Sequence, residues 1–202
     1  MAVLSDKDLR WRINSKGVPS FFDSRFTERR YAIGIYPCED HQVQPASVDL
    51  TLANEWLVYP PASWIPYSGN PIDMDHAKDL ETTKIIADEY LLQPHELILC
   101  STVEYVDIPN DIQGSVHGKS SLGRLGLMIH VTAGFIDPGF KGKITLEIYN
   151  LNNRPIILRA GKPICQMSMT KLSSPAEKPY GHPDLYSKYQ NQQEVVGSRY
   201  DG

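Results

Sequence analysis

The chain has 202 residues, a formal net charge of −4 and 41% hydrophobic residues, which is enough for one domain with a buried core. This mildly acidic balance gives no basic surface of the kind that binds nucleic acid, so nucleic acid is not expected as a partner. No apolar run approaches the ~20 residues of a membrane-spanning helix, and charged residues interrupt the start of the chain, so neither a membrane segment nor a signal peptide is expected.

The first predicted element is a short helix that begins after Ser5. A serine at the N-cap with Asp8 three residues later is a weaker form of the capping box, in which the two residues satisfy each other's backbone N–H groups. Leu9, Trp11 and Ile13 are the apolar positions of this segment. We expect a structural helix that packs near a subunit boundary.

Short β-strands dominate the rest of the chain. Residues 17–43 mix prolines, arginines and aromatic residues without a period, and no element or role is predicted for them. From residue 43 onward, short apolar or alternating runs are separated by turn residues, which is typical of a β-sandwich or barrel. Residues 60–79 are rich in Pro, Ser, Asn and Asp and are predicted as loop. The predicted strands lie at 48–52, 56–58, 85–86, 90–92, 97–100, 112–116, 128–132, 144–148, 156–158 and 164–169, with residues 72–73 as a further candidate.

Residues 118–126, GKSSLGRLG, form a glycine-punctuated loop. Its glycines allow the backbone to approach a ligand closely, and Ser120, Ser121 and the loop N–H groups could bind phosphate oxygens. Arg124 adds a forked, permanently charged donor. The loop is not a Walker P-loop, because Lys followed by Ser or Thr does not come after the second glycine. An ordinary solvated turn with a surface arginine is the alternative.

Residues 133–139, AGFIDPG, predict a tight turn. Pro138 fixes φ and Gly139 tolerates positive φ, while Phe135 and Ile136 would pin the turn to a core. Asp137 could orient a sugar hydroxyl or a water molecule. The alternative is an Asx-type turn in which the carboxylate binds only its own backbone.

Residues 143–150, KITLEIYN, alternate strictly and predict a strand with one apolar face. Glu147 lies on the opposite face, where a ligand could meet it. A glutamate in a partly desolvated pocket can both accept and donate a proton. The alternative is a surface glutamate paired with Lys143 or with a residue across the strand.

The cysteines and histidines argue against the zinc-dependent nucleobase deaminases. Those enzymes use His-x-Glu followed by Pro-Cys-x-x-Cys, and the sequence contains neither motif. Cys38, Cys100 and Cys165 are odd in number and widely spaced, which predicts reduced thiols in a cytoplasmic protein. The six histidines are not at metal-ligand spacing, so no protein metal site is predicted.

The order and spacing of these segments closely resemble the dCTP deaminase family of the dUTPase-like superfamily. The resemblance covers most of the chain and implies an all-β, distorted β-barrel or jelly-roll-like dUTPase-type fold with a short N-terminal helix. It also implies a single domain over residues 1–202, whose polar tail, 173–202, closes over a nucleotide. The matching segments are GKSSLGRLGL, HVTAGFIDPGF and ITLEIYN, with LSDKDL, QPASVDL, STVEYVDIP, ICQ and a C-terminal PY…SKYQNQ.

The resemblance implies zinc-free hydrolytic deamination of dCTP to dUTP in sites shared between subunits of a homotrimer. Magnesium would arrive with the triphosphate. Glu147, Ser120, Arg124 and Asp137 would be catalytic, with Glu147 as the proton shuttle and Asp137 against the deoxyribose. The implied nucleotide-binding residues are Lys119, Ser120, Ser121, Leu122, Gly123, Arg124, Asp137, Thr145, Leu146, Glu147, Gln166, Tyr180, Lys188 and Gln192.

The product and its regulation are further expectations from the resemblance. The segment around the acidic turn is most similar to that of bifunctional members, which cleave dUTP to dUMP and pyrophosphate and so supply dUMP for thymidylate synthesis. Gly134 would leave room for a water molecule near the α-phosphate. Residues 130–132 match a segment linked to feedback inhibition by dTTP. A plain dUTPase and a non-catalytic nucleotide-binding regulator on the same fold are the alternatives.

Overall fold

The computed structural model describes residues 2–14, 32–59, 72–132 and 134–200. Much of the stretch 17–43, for which no role was predicted, lies outside these residues, as do residues 60–71 of the predicted loop and Ala133 of the predicted acidic turn.

The predicted N-terminal helix is confirmed as α1 (Asp6–Arg12), and it has a complete capping box. The Ser5 hydroxyl accepts from the backbone N–H of Asp8, and the Asp8 carboxylate accepts from Ser5. Leu9 is fully buried, whereas Trp11 is 55% exposed. At the end of α1, Arg12 forms a buried ion pair with Asp111 at 2.8 Å, which fixes the helix against the body of the protein.

The all-β fold class is confirmed. In chain order the strands are β1 (Ala2–Val3), β2 (Ile13–Asn14), β3 (Ile33–Tyr36), β4 (Val43–Gln44), β5 (Ser47–Thr51), β6 (Glu55–Val58), β7 (Thr83–Ile86), β8 (Glu89–Leu92), β9 (Leu97–Asp107), β10 (Ile112–Gly118), β11 (Leu127–Met128), β12 (Phe135–Ile136), β13 (Lys141–Asn150), β14 (Ile156–Arg159) and β15 (Pro163–Lys171). A second helical turn, α2 (Ser120–Gly123), follows β10, and 3-10 turns occupy Asp40–Gln42 and Met74–Asp79.

Within the described residues, two sheets enclose one hydrophobic core. The first has the order β12-β10-β15-β5-β4, with β1 on β15, and the second has the order β11-β13-β9-β3-β2, with β6 bridging β9 and β7. A small sheet pairs β8 with β14. The core contains side chains of both large sheets, including Leu50, Trp56, Leu146 and Met167, all fully buried. Burying such side chains contributes about 1.5–3 kcal/mol each.

Strand β13, which lies between β9 and the short edge strand β11 in the second sheet, positions the candidate site. Its side chains alternate between buried and half-buried, so Ile144, Leu146 and Ile148 face the core while Thr145 and Glu147 face outward. The register between β13 and β9 shifts between Lys143 and Thr145, so the regular pairing of the two strands is interrupted there. Other segments of the chain therefore pack around the outward face of β13.

Three details of the predicted elements differ from the structure. Ile72 and Asp73 do not form a strand, because Asp73 caps the following 3-10 turn through the backbone N–H of Asp75. Of the strand predicted at 128–132, only Met128 lies in a strand, β11, because the backbone after it turns to bind Glu147. The loop after Gly118 contains the helical turn α2.

The turn at His95 keeps a left-handed conformation although no glycine stands there. His95 has φ of 62°, which is the region that favours glycine and in which His is one of the more tolerated non-glycine residues. Its N–H donates to the Asn150 carbonyl at 2.9 Å. The backbone at His95 therefore has the conformation that a glycine adopts without steric cost.

Candidate active site

A cavity of about 680 Å³ opens on the outward face of β13. Its walls are the outer ends of β6 and β9, the turn after β12 and the C-terminal tail. The cavity is lined by Tyr59, Leu97, Leu99, Val131, Thr132, Phe135, Ile136, Asp137, Phe140, Lys143, Ile144, Thr145, Glu147, Tyr180, Tyr186, Lys188, Tyr189, Gln192, Val196, Gly197 and Ser198. A concave site of this size, mostly apolar with a few polar groups, is typical of a small-molecule site.

Glu147 is held in this cavity by two backbone N–H groups. Its Oε2 atom accepts from the N–H of Val131 at 2.8 Å and from that of Thr132 at 3.3 Å. These bonds orient the carboxylate and occupy one of its oxygens. Among the described residues, Oε1 has no hydrogen-bond donor, so it remains available to a water molecule or a ligand.

Two leucines, Leu57 and Leu99, form an apolar surface beside this carboxylate. Leu57, Leu99 and Glu147 are paired in register across β6, β9 and β13 and share one face of the sheet. Val195 of the tail packs on Leu57 and Leu99 and is only 3% exposed. The carboxylate therefore borders a buried apolar surface, where a hydrogen bond or a charge interaction is stronger than it is in water.

Tyr59 is a cavity residue that the sequence did not indicate. It follows Leu57 by two residues, so it lies on the same side of the strand, next to the Glu147 row. Burial raises the pKa of its hydroxyl, and the neighbouring Glu147 and Tyr189 raise it further. A lone tyrosine after an apolar strand carries no recognisable motif, and only the pairing of β6 with β9 brings it to the site.

Gln192 and Thr145, both predicted from the sequence, are in direct contact. The Gln192 side-chain amide donates to Thr145 Oγ1 at 2.6 Å and to the Lys143 carbonyl at 3.3 Å. Gln192 is 8% exposed, so it is part of the cavity's structure as well as of its lining. Lys143 lines the same cavity, half-buried, and was not predicted as a site residue.

Asp137 lies at the mouth of the cavity in the predicted turn. The N–H of Phe140 donates to its carbonyl at 3.1 Å, and Gly139 adopts φ of 91°. A Cβ at Gly139 would lie 2.6 Å from Pro179, so this position requires glycine for both conformation and space. Asp137 is largely exposed, but partial burial raises the pKa of its carboxyl group.

The C-terminal tail is packed along β13. The N–H of Tyr180 donates to the Pro138 carbonyl at 2.8 Å, and the Tyr180 ring meets Phe140 edge-on with centroids 5.6 Å apart. Further along, the N–H of Lys143 donates to the Gln192 carbonyl at 2.9 Å. Lys188 also lines the cavity. The predicted tail residues Tyr180, Lys188 and Gln192 are thus brought to the same cavity as Glu147.

The residues predicted to bind phosphate do not line this cavity. Within α2 and its flanks, Ser120, Ser121, Gly123 and Arg124 are exposed, and Leu122 packs against the core. The Lys119 ammonium lies 2.7 Å from Asp49 Oδ1. Gln166 lies on β15, in register with Asp49. In the described chain the predicted site residues therefore form two groups. The cavity group contains Asp137, Thr145, Glu147, Tyr180, Lys188 and Gln192, and the loop group contains residues 119–124.

Two predicted positions are closely packed in the described chain. The Leu146 side chain is fully buried in the core on the inner face of β13, so it does not line the cavity, and any ligand contact of this residue would use its backbone. At Gly134, neighbouring atoms lie close to the position that a side chain would occupy. A Cβ there would lie 3.0 Å from the Val116 carbonyl oxygen and 3.1 Å from His130 Cε1. This close packing disfavours a side chain at position 134.

Neither a metal-binding cluster nor a membrane-spanning helix is present in the described part of the chain. Residues 2–14, 32–59, 72–132 and 134–200 contain no group of three or more His, Cys, Asp or Glu side chains that could hold a metal ion. No helix among the same residues is long and apolar enough to cross a membrane. Cys38, Cys100 and Cys165 are free thiols, and the last two are buried.

Comparison with known proteins finds one family over most of the chain. Residues 22–172 match the family model described as dCTP deaminase-like. A protein of Methanobrevibacter smithii named dCTP deaminase, dUMP-forming, is 38% identical over 98% of this chain and 95% of its own length. Proteins of the same name from Dictyoglomus turgidum and Mycobacterium ulcerans are each 41% identical over 98% of this chain, covering 94% and 95% of their own lengths.

A solved structure shows the same fold. The 2'-deoxycytidine 5'-triphosphate deaminase from Agrobacterium tumefaciens aligns with 83% of this chain at a TM-score of 0.57 and 24% identity. This chain spans 46% of the length of that structure, so the likeness concerns the fold of the aligned part.

Proposed function

The chain belongs to the dCTP deaminase-like family, and from this premise we propose that it deaminates dCTP to dUTP and then hydrolyses dUTP to dUMP and pyrophosphate. Relatives that match almost the whole chain carry the name dCTP deaminase, dUMP-forming, and this supports both steps. The observation that carries the proposal is Glu147, oriented by two N–H groups on the wall of the cavity and with Oε1 available.

In the proposed first step, Glu147 activates a water molecule. The carboxylate takes one proton from water, and the hydroxide adds to C4 of cytosine. Glu147 passes this proton to N3 of the ring, where it stays, and then carries the proton of the new C4 hydroxyl to the amino group; the C4–N bond breaks, ammonia leaves and the C4 carbonyl forms. The balance is dCTP plus water to dUTP plus ammonia, and removal of such a general acid–base typically costs 10²–10⁴-fold in rate.

In the proposed second step, a water molecule attacks the α-phosphorus, the bond from this phosphorus to the oxygen that bridges to the β-phosphate breaks, and pyrophosphate leaves, so that dUMP remains. Asp137 lies at the cavity mouth, beside Tyr180 of the tail, and we assign it the deoxyribose hydroxyl and the orientation of that water molecule. This assignment requires the ionised carboxylate, although partial burial raises the pKa of Asp137. The same aspartate would serve binding in the first step and hydrolysis in the second.

We propose that the complete site forms between subunits of a homotrimer. The cavity group contains Glu147 and Asp137, while the loop group contains Ser120 and Arg124, which are exposed and outside the cavity of their own chain. A neighbouring copy that presents its loop to this cavity would supply the phosphate-binding groups and a charge near C4. The proposed roles of Ser120 and Arg124 in orienting water and stabilising charge depend on that neighbour.

Magnesium would enter with the triphosphate. When bound, this ion neutralises phosphate charge, and it prefers phosphate oxygens and water as ligands over a dedicated protein cage. The acidic side chains in the described cavity are Glu147 and Asp137, and Oε2 of Glu147 already accepts two backbone N–H groups. This donor set fits an ion held mainly by the nucleotide. The three free thiols support a reducing, cytoplasmic location.

Inhibition by dTTP is a further part of the proposal. Val131 and Thr132 donate to Glu147, so a shift of residues 130–132 would release the carboxylate from its present orientation. The His130 ring packs against Gly134, which links this segment to the acidic turn. A nucleotide that binds the cavity better with the segment shifted would inhibit by favouring that state.

One incubation tests the proposed function. The protein is mixed with dCTP and Mg²⁺ in the presence of a zinc-selective chelator, and the products are resolved by chromatography while ammonia is assayed. We expect ammonia, dUMP and pyrophosphate in equal amounts. Unconverted dCTP together with turnover of dUTP in a parallel incubation would indicate a plain dUTPase, and binding of both nucleotides without any product would indicate a nucleotide-binding regulator.

A further inference from the structure

Asp49 lies in one row with two of the predicted nucleotide-binding residues. Asp49 on β5 is paired with Gln166 on β15, and Gln166 is paired with His117 on β10. Lys119 follows His117 by two residues and has extended backbone angles, φ −76° and ψ 129°. Because side chains alternate along an extended chain, Lys119 lies on the same face of the sheet as Asp49 and Gln166.

The Lys119 side chain crosses a whole strand to reach Asp49. Strands β10 and β5 lie on either side of β15, which places them about 10 Å apart at the usual strand spacing. The ammonium nevertheless lies 2.7 Å from Asp49 Oδ1. The lysine side chain is therefore extended across β15, and its ammonium group is paired with Asp49.

This ion pair is largely withdrawn from solvent. The Lys119 and Asp49 side chains are 27% and 15% exposed. Asp49 Oδ1 is buried and accepts no well-aligned hydrogen bond from a described residue, so among those residues the Lys119 ammonium is the group that compensates its charge. Removing one partner of such a pair leaves the other charge uncompensated, which is costly.

The position of Lys119 determines where the predicted phosphate-binding loop begins. Lys119 is the N-cap of α2, and its carbonyl accepts from the N–H of Leu122 at 2.9 Å and of Gly123 at 3.0 Å. Its side chain makes no capping bond. Anchoring the side chain to Asp49 therefore fixes the first turn of the segment that carries Ser120 and Arg124.

We propose that Asp49 is a positioning residue of this loop, acting through Lys119. The inference rests on the proposed function, because it concerns a loop that binds the triphosphate. In this account the Lys119 ammonium is paired with Asp49, so Arg124 makes the charged contact to phosphate. The alternative is that Lys119 itself binds phosphate and Asp49 only competes with the ligand for it.

The two accounts predict opposite effects of the Asp49→Asn substitution. If Asp49 positions the loop, D49N misplaces the phosphate-binding groups, and a misplacement of this kind lowers kcat/KM about ten- to a hundredfold. If Lys119 binds phosphate directly, D49N frees the ammonium and lowers KM. The Lys119→Met substitution lowers kcat/KM in both accounts, so only the sign for D49N separates them.

The experiment is a double-mutant cycle on the oligomeric enzyme. Ammonia release from dCTP is measured for wild type, D49N, K119M and the double variant, together with the melting temperature of each. We expect both single variants to lose similar amounts of kcat/KM and the double variant to lose no more than either, because the two residues act as one unit. Glu89→Gln, which breaks the exposed Arg159–Glu89 pair at 3.0 Å outside the cavity, is the matched control and should leave kcat/KM unchanged.

Several outcomes would overturn the inference. These are a D49N enzyme with unchanged or improved kcat/KM, additive losses in the double variant, or a lowered melting temperature without any change in kcat/KM. If D49N does not fold, Asp49→Glu takes its place, since it keeps the charge but moves it by one methylene, and unchanged kcat/KM would again refute the proposal. A wild-type enzyme that releases no ammonia from dCTP refutes the proposed function itself and the inference with it.

Discussion

Replacing Glu147 by glutamine tests the proposed general base with little disturbance of the structure. Glu147 Oε2 accepts from Val131 at 2.8 Å and from Thr132 at 3.3 Å, and the carbonyl oxygen of a glutamine can accept both bonds in the same place. The substitution changes the other atom, Oε1, from a proton acceptor into an amide nitrogen. The segment at 131–132 should therefore stay in position while proton transfer is lost.

The expected loss in deamination is about 10²–10⁴-fold in kcat, because this is the contribution of a positioned general acid–base. Affinity for dCTP should change less than about tenfold, since the cavity keeps its shape. The assay is ammonia release at saturating dCTP, with dCTP binding followed by calorimetry.

The control is Glu96→Gln, outside the cavity. Glu96 also accepts from a backbone N–H, that of Gln93 at 2.6 Å, and should tolerate the change with unaltered turnover. An E147Q enzyme that turns over dCTP within a fewfold of wild type would refute the assignment of Glu147. A loss of dCTP binding together with activity would show that the residue acts in binding.

Four further predictions concern the other parts of the site. Inactive E147Q and Arg124→Ala chains, when co-assembled, should recover about a quarter of wild-type activity if each site joins two subunits; complete inactivity of the mixed oligomer would contradict shared sites. Asp137→Asn should abolish pyrophosphate release from dUTP. Because partial burial raises the pKa of Asp137, wild-type pyrophosphate release should decline on acidification at a higher pH than an ordinary aspartate would dictate, and a pH profile checks this. Val195→Ser should weaken docking of the tail by about 1.5 kcal/mol and raise the dCTP KM about tenfold, with kcat as the comparison; an unchanged KM would show that the tail is not part of the site.

Much of the fold follows from local patterns in the sequence. The capping signal at Ser5 predicts α1, and the strict alternation in residues 143–150 predicts β13 with Glu147 on its outer face. The alternation of apolar and polar residues predicts a strand here because one face of the strand is buried and the other is not. The failures fall where a side chain binds backbone locally, as at Asp73, or where the chain leaves the sheet to bind Glu147.

The site could be predicted only in part, because its residues come from distant strands. Glu147, Asp137 and the tail residues were recognisable from motif order, and the structure brings them to one cavity. Tyr59 and Lys143 line the same cavity without a motif of their own. Asp49 reaches Lys119 only through the order β10-β15-β5, which the spacing of apolar residues does not determine.

The central claim, that one enzyme carries out both hydrolytic steps, is tested most directly with isotopically labelled water. Purified protein, dCTP and Mg²⁺ are incubated in water enriched in the heavy oxygen isotope, and the nucleotide product is analysed by mass spectrometry. We predict that dUMP accumulates with two labelled oxygens. One is in the base, from the attack at C4, and the other is in the phosphate of dUMP, from the attack at the α-phosphorus that releases pyrophosphate. Recovery of unconverted dCTP, or of dUTP labelled in the base with no pyrophosphate formed, would contradict the claim.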